Sequence, residues 1–453
     1  MKRAASTSVR WSALVLALAS FSAARAQSPA PAGAPPAPPP EVLRWLASAA
    51  TPIATLEPGR GTQDLAPLGR IVGEARIVAI GEATHGSSEF FAFKERAFEY
   101  LVSELGFTDF AMETDWAQAL ATDAWVERGE GDLQAALKGL AGPWRTEEYR
   151  ALLEWMRAWN ADPAHARKVR IHGLDMQQPS GYVGKRVRAY LMEVDLEVAE
   201  SVASLVDRLT MLSPGIEDAD LDGLVTLFDE LHDPFVERSS AAQWALMRQH
   251  VVVLGQAYRQ RGKRGNDATS WRDRCMADNV RWILRQGGPE ARILVSAHNG
   301  HVARTGLAEV EGYGTVQSIG RALAEDAAHV KDEDLSLVVI GAAFARGGFY
   351  ASPAGGGASA SFRVEQADPA GIEAELVAAG LTNALIDLAS APADGPVRAW
   401  LDTPRTLRGV GGLWDPAWVA SGDDRELTTL PAKFDALFFV AEATPARLLE
   451  PPR

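Results

Sequence analysis

A single cysteine, Cys275, occurs in 453 residues, so no intramolecular disulfide holds this chain together. Cys275 falls in a helical pattern and reads as a small core residue rather than a nucleophile. A Gly-x-Ser-x-Gly elbow, a His-Glu-x-x-His helix and a phosphate-binding glycine loop are all missing from the sequence. Covalent serine or cysteine catalysis therefore has no motif behind it, and attack by an activated water fits better. Positive charge is also short, with a formal net charge of −14. So acidic a chain repels phosphate backbones, which argues against a nucleic-acid partner. The leading apolar run, Trp11 to Phe21, is too short to cross a bilayer.

That run follows Lys2, Arg3 and Arg10 and precedes Ala24-Arg25-Ala26, the order of a secretory leader with an A-x-A cleavage site. Residues 1–26 are read as a signal peptide, which predicts a periplasmic or secreted protein with no stable membrane span after cleavage. Its removal takes away Lys2, Arg3, Arg10 and Arg25 and no acid, moving the net charge from −14 to −18. Residues 27–41 are rich in Pro, Ala, Ser and Gly and read as a spacer.

Hydrophobic residues make up 47% of the chain and charged residues 23%, ordinary values for a protein with a sizeable core. Seven short apolar runs read as strands: Arg76–Gly81, Asp109–Met112, Val169–His172, Ile293–Ala297, Leu337–Ala342, Ala384–Leu388 and Leu437–Val440. Continuous rather than alternating apolar character predicts strands covered on both faces. Helical patterns separate the early ones. One has Ser87 or Ser88 as its cap and Gly106 as its stop, and another spans Glu147 to Asn160. The expected fold is α/β, a mostly parallel central sheet flanked by helices. Between Tyr182 and Gln286 strand-like runs vanish and helical periodicity dominates. The predicted domains are therefore a first core part over 42–181, a helical insertion over 182–287 lying above the active-site cleft, and a second core part over 288–453. Gly355–Gly357 reads as a surface loop.

Polar residues fall at one kind of place. Glu82 and His85 follow the first strand, Glu113 the second, Asp175 the third, and His298, Asn299 and His301 the fourth. In an open parallel sheet the carboxyl ends of the strands line the ligand crevice. A lone Glu there usually serves a helix dipole. Four strand ends each delivering an acid or a histidine point instead to acid–base chemistry, with a carboxylate fixing an imidazole. His165, His232, His250 and His329 fall in helix or loop contexts and read as ordinary residues.

At this point the chain resembles the erythromycin esterases. Gly81-Glu82-Ala83-Thr84-His85-Gly86 is followed by Glu89-Phe90-Phe91 and Lys94, and then by Met112-Glu113. Trp144 comes next, with the Glu154–Asn160 helix, followed by His172-Gly173-Leu174-Asp175 and Arg272-Asp273 with Met276 and Asn279. Ala297-His298-Asn299-Gly300-His301 and Phe434-Asp435-Ala436-Leu437-Phe438 complete the series. The resemblance implies a helical subdomain over a deep cleft and hydrolysis of an ester or macrolactone in a small molecule. It implies that His85 is the general base, that Glu82 and Glu113 orient it, and that His298 assists the intermediate or the leaving alkoxide. Lys94, Arg145, Asp175, Arg272, Asp273 and His301 would face substrate, Lys94 standing where some macrolide-active members carry Arg. No cofactor is assigned. A divalent ion held by His298, His301 and the acids stays open, as do a metal-dependent hydrolase of another bond and a non-catalytic metal- or cofactor-binding protein.

Overall fold

The computed structural model describes residues 38–177, 181–305 and 316–449. The expected signal peptide at 1–26 and most of the expected spacer, through residue 37, lie outside them. No helix among the described residues is long and apolar enough to cross a membrane.

Twelve strands are described: β1 Ala50–Pro52, β2 Ile77–Ile80, β3 Asp109–Asp115, β4 Arg170–Asp175, β5 Ile293–Ser296 and β6 Leu337–Pro353. The rest are β7 Ala360–Val364, β8 Asn383–Asp387, β9 Arg405–Arg408, β10 Leu413–Trp414, β11 Arg425–Thr428 and β12 Ala436–Ala443. The main sheet runs β1-β8-β12-β6-β2-β5-β3-β4. The stretch from β12 to β4 is parallel throughout, and β1 and β8 add antiparallel pairings at one edge. Every residue of β2, β3 and β5 is buried, as the unbroken apolar runs predict.

All seven expected strands are present. β6 continues well past Ala342, and its second half forms an antiparallel hairpin with β7. Gly355–Gly357 sits at the exposed tip of that hairpin. β1, β7, β9, β10 and β11, each of two to five residues, were not expected from the sequence.

Helices cover both faces of the sheet. The Ser88–Leu105 helix buries Phe90, Phe93, Phe98 and Leu101, and Phe93 stacks on Phe438 of β12 with ring centroids 4.0 Å apart. Gly106, with φ of 71°, ends the helix in the left-handed conformation that a β-carbon disfavours. The expected serine cap does not form. Ser87 Oγ donates to Glu89 at 2.8 Å and Ser88 Oγ to the buried Glu148 at 2.5 Å, so both hydroxyls serve carboxylates rather than the helix amides. Between β4 and β5 the described chain is helical, from Gly181–Val194 to Gly265–Gly287. These helices share an apolar cluster around Val187, Leu191, Phe228, Phe235 and Leu254, which also takes in Trp116, Ala117 and Met176. Cys275 lies buried in it, and burial pushes its thiol well up, consistent with an inert core residue.

Candidate active site

β2, β5, β3 and β4 are neighbours in that order and all parallel, so their carboxyl ends form one continuous edge. The turn after β2 carries Glu82 and His85. Two glycines let it pack. A β-carbon on Gly81 would meet the Asn299 side chain at 2.2 Å, and one on Gly86 the Tyr350 carbonyl at 2.0 Å. Asn299 donates to the Ala342 carbonyl at 2.6 Å and accepts from the Ala342 amide at 2.9 Å, tying the β5 end to β6. Gly81, Gly86 and Asn299 are thus architectural, and Glu82 and His85 are left for chemistry.

His85 Nδ1 lies 2.6 Å from Glu82 Oε1. Glu82 is fully buried, and its other oxygen accepts from the Lys94 ammonium. Burial pushes the Glu82 carboxyl up, but the Lys94 charge and the His85 hydrogen bond outweigh it and hold the group below its ordinary value. An ionised Glu82 obliges Nδ1 to donate, which leaves the lone pair on Nε2. The His85 ring meets the edge of Trp144, with centroids 5.5 Å apart, and lies 5.2 Å from the His298 ring.

Glu113 sits where β3 loses its register with β4, between Met112 and Asp115, rather than beyond the strand as expected. Its Oε2 accepts the His298 backbone amide at 3.1 Å. Its Oε1 takes Arg272 Nη2 at 2.8 Å and His301 Nε2 at 3.0 Å. Burial works against this charge, yet the His301 and Arg272 cations hold the carboxyl well below its usual range. Arg272 also binds Asp175 Oδ2 through Nε at 3.1 Å and Nη2 at 2.8 Å. Asp273, fully buried, accepts from His301 Nδ1 at 2.7 Å. The Gly265–Gly287 helix therefore reaches the sheet edge through two consecutive side chains.

The two histidines of the Ala297–His301 turn are in opposite states. His298 Nδ1 accepts the Gly300 amide at 3.2 Å, so the proton of the neutral ring is on Nε2. That nitrogen is buried and has no hydrogen-bond partner among the described residues. Burial, then the His85 and His301 rings, push His298 down to about 3, and it stays neutral. Burial acts on His301 in the same direction, but carboxylates on both ring nitrogens outweigh it and push it up to about 10. Arg272 Nη1 lies 3.2 Å from Nε2 of that ring. Once the ring is protonated this approach is between two donors, and the Nε2 proton goes to Glu113.

The His301 shift has a consequence for stability. A base whose value is raised on folding stabilises the fold fully below its unfolded value, about 6.5, and loses that contribution as pH climbs through about 10. Urea midpoints should fall between roughly pH 7 and 10, more steeply in the wild type than in His301→Gln. Equal slopes would remove the imidazolium assignment.

Of the ten expected site residues, nine converge here. Arg145 does not: its guanidinium is spent on the Leu140 and Lys138 carbonyls, at 3.0 and 3.1 Å. Lys94 converges through its ion pair with Glu82 and is 1% exposed, so it is buried rather than presented to a substrate. Trp144 against His85, and buried Tyr149, 3.3 Å from the Ser296 hydroxyl, were missed as site residues. Tyr149 lies among the buried residues of the Glu147–Ala161 helix, where an aromatic carries no signal beyond core, and Trp144 stands in the motif series without a role. His172 pairs with Asp109 at 2.7 Å, apart from the cluster. Most of the groups named for a divalent ion are engaged by the protein itself. Both oxygens of Glu82 and Glu113 and both nitrogens of His301 already face protein groups. No three His, Cys, Asp or Glu side chains among the described residues stand in ligand geometry.

A comparison with known proteins agrees with this architecture. The erythromycin esterase type II of Escherichia coli is 22% identical over 382 residues, covering 77% of this chain and 89% of that protein. A crystal structure of a Bacillus cereus protein superposes with a TM-score of 0.79 at 26% identity, covering 90% of this chain and 99% of that one. A mutant erythromycin esterase in its open conformation does so with a TM-score of 0.64 at 17% identity, over 88% and 99%, which bears on the fold. The family model for erythromycin esterase matches residues 102–443, most of the chain. This chain belongs to the erythromycin esterase family and is a hydrolase of that family.

Proposed function

We propose that the chain hydrolyses a carboxylic ester or lactone in a small molecule by attack of water activated on His85. The observation that carries this reading is the Glu82–His85 pair, which commits Nδ1 to a buried carboxylate and leaves Nε2 as the base. His85 Nε2 takes a proton from water as the hydroxide oxygen bonds to the ester carbon. The carbonyl oxygen becomes an oxyanion. His298 Nε2–H, neutral and without a hydrogen-bond partner among the described residues, is a donor fit to receive that charge. When the C–O bond breaks, the alkoxide takes the proton held on His85, and the free enzyme returns.

Glu113 holds the backbone that carries His298 and adds a second negative charge near the imidazolium as it forms. Trp144 places an aromatic ring beside the base. Macrolactone rings belong to the substrate class this reading covers, a reading supported by the name of the Escherichia coli relative.

A panel of aryl and alkyl esters and macrolactones, assayed with and without a chelator, tests the proposal. Turnover of at least one ester or lactone, unchanged by chelation, is expected. Turnover abolished by chelator and restored by a divalent ion would replace it with a metal-dependent mechanism.

A further inference from the structure

Lys94 is a charged side chain that the reaction above leaves unused. Its Nζ donates to Glu82 Oε2 and lies 3.3 Å from the Ala297 carbonyl. Lys94 is 1% exposed and Glu82 not at all, so the ammonium is closed off from solvent. Its two contacts fall on the residue that holds the base and on the residue preceding His298. We propose that Lys94 is a positioning residue that sets the proton affinity of His85 through Glu82, and is not a substrate contact. The inference rests on His85 as the base.

A cation on the second oxygen of a buried carboxylate weakens the hold of that carboxylate on an imidazolium at the first. Glu82 divides its charge, one oxygen to His85 and one to Lys94. The other groups around His85 do not compete for this role. Glu113 is already paired with Arg272 and His301, and Arg272 is further tied to Asp175. His301 is held by Asp273 and Glu113. His298 is neutral, Trp144 is uncharged, and Gly412 brings only backbone to the ring. Among the described residues, Lys94 is thus the cation paired with Glu82. A compact ammonium also reaches the Ala297 carbonyl, so the same side chain links the turns that carry His85 and His298.

The test is an NMR titration of the His85 imidazole, identified by its loss in His85→Ala, in the full chain. In Lys94→Met the midpoint should rise by about one to two pH units, the size of one nearby charge at an effective dielectric near 20. The sign holds whichever member of the pair carries the proton, because removing a cation raises the proton affinity of both. Lys94→Arg should bring the midpoint back. With an ester substrate, the acid limb of kcat/KM should move the same way while KM stays put. An unmoved midpoint in folded Lys94→Met, or a raised KM with a fixed limb, overturns the proposal. If Lys94→Met does not fold, Lys94→Gln takes its place, keeping a donor for Glu82 but no charge. Its midpoint should rise as well, and an unmoved midpoint overturns the idea. The titration needs no substrate, so it can fail while the esterase reading stands, or stand while that reading fails.

Discussion

His85→Ala should lower ester hydrolysis by about two to four orders of magnitude, or roughly 3–5 kcal/mol of barrier, with the fold intact. The ring is 14% exposed and its one hydrogen bond is to Glu82, so truncation removes little packing. It does strand the Glu82 carboxylate, but Lys94 remains as counter-ion. Glu113→Gln should approach the same loss by another route. It keeps the shape and an acceptor for the His298 amide, but removes the charge that His301 and Arg272 surround. The two variants therefore separate loss of the base from loss of the field around it. Ser87→Ala and Ser88→Ala are the controls. Their hydroxyls bind Glu89 and Glu148 and are not needed by a water mechanism. Initial rates on any ester turned over, with far-ultraviolet circular dichroism on each variant, decide the matter. Full activity in His85→Ala with loss in Ser88→Ala would falsify water activation and implicate a serine.

Much of this site is legible in the chain because a parallel sheet turns sequence order into spatial order. Each of Glu82, Glu113, Asp175 and His298 ends an apolar run, and runs of that kind pair side by side with their carboxyl ends together. What stays hidden is whatever depends on residues far apart in sequence. His298 and His301 belong to one five-residue motif, and nothing local says that one is neutral and the other charged. The difference comes from the Gly300 amide on one ring and from Asp273 and Glu113 on the other. Arg145 looks as available as Arg272 in sequence, yet it closes a local loop, whereas Arg272 reaches two strand ends from a helix. The missed strands are short, and β9 and β11 pair with each other outside the main sheet, where no long apolar run is required.

Arg272→Met should destabilise the fold by about 3–5 kcal/mol, because removing one partner of a buried ion pair leaves an uncompensated charge. Here two carboxylates are involved. Arg272 is 11% exposed, Glu113 5% and Asp175 9%. Its loss leaves Asp175 without a cation and Glu113 with His301 alone. Arg272→Lys should recover part of the loss, since a single ammonium lacks the planar fork that contacts both acids at once. Arg188→Met is the comparison: its partner Asp207 is half exposed, and such a surface pair is worth about 1 kcal/mol or less. Urea denaturation gives all three values, and an Arg272→Met cost equal to that of Arg188→Met would mean that the cluster is not held by its charges. The same variant carries a functional reading. Arg272 lies on the Gly265–Gly287 helix, and through Glu113 it bears on the backbone that presents His298. Activity in Arg272→Met should therefore fall at temperatures where the protein is still folded, which ties the helical layer to the chemistry at the sheet edge.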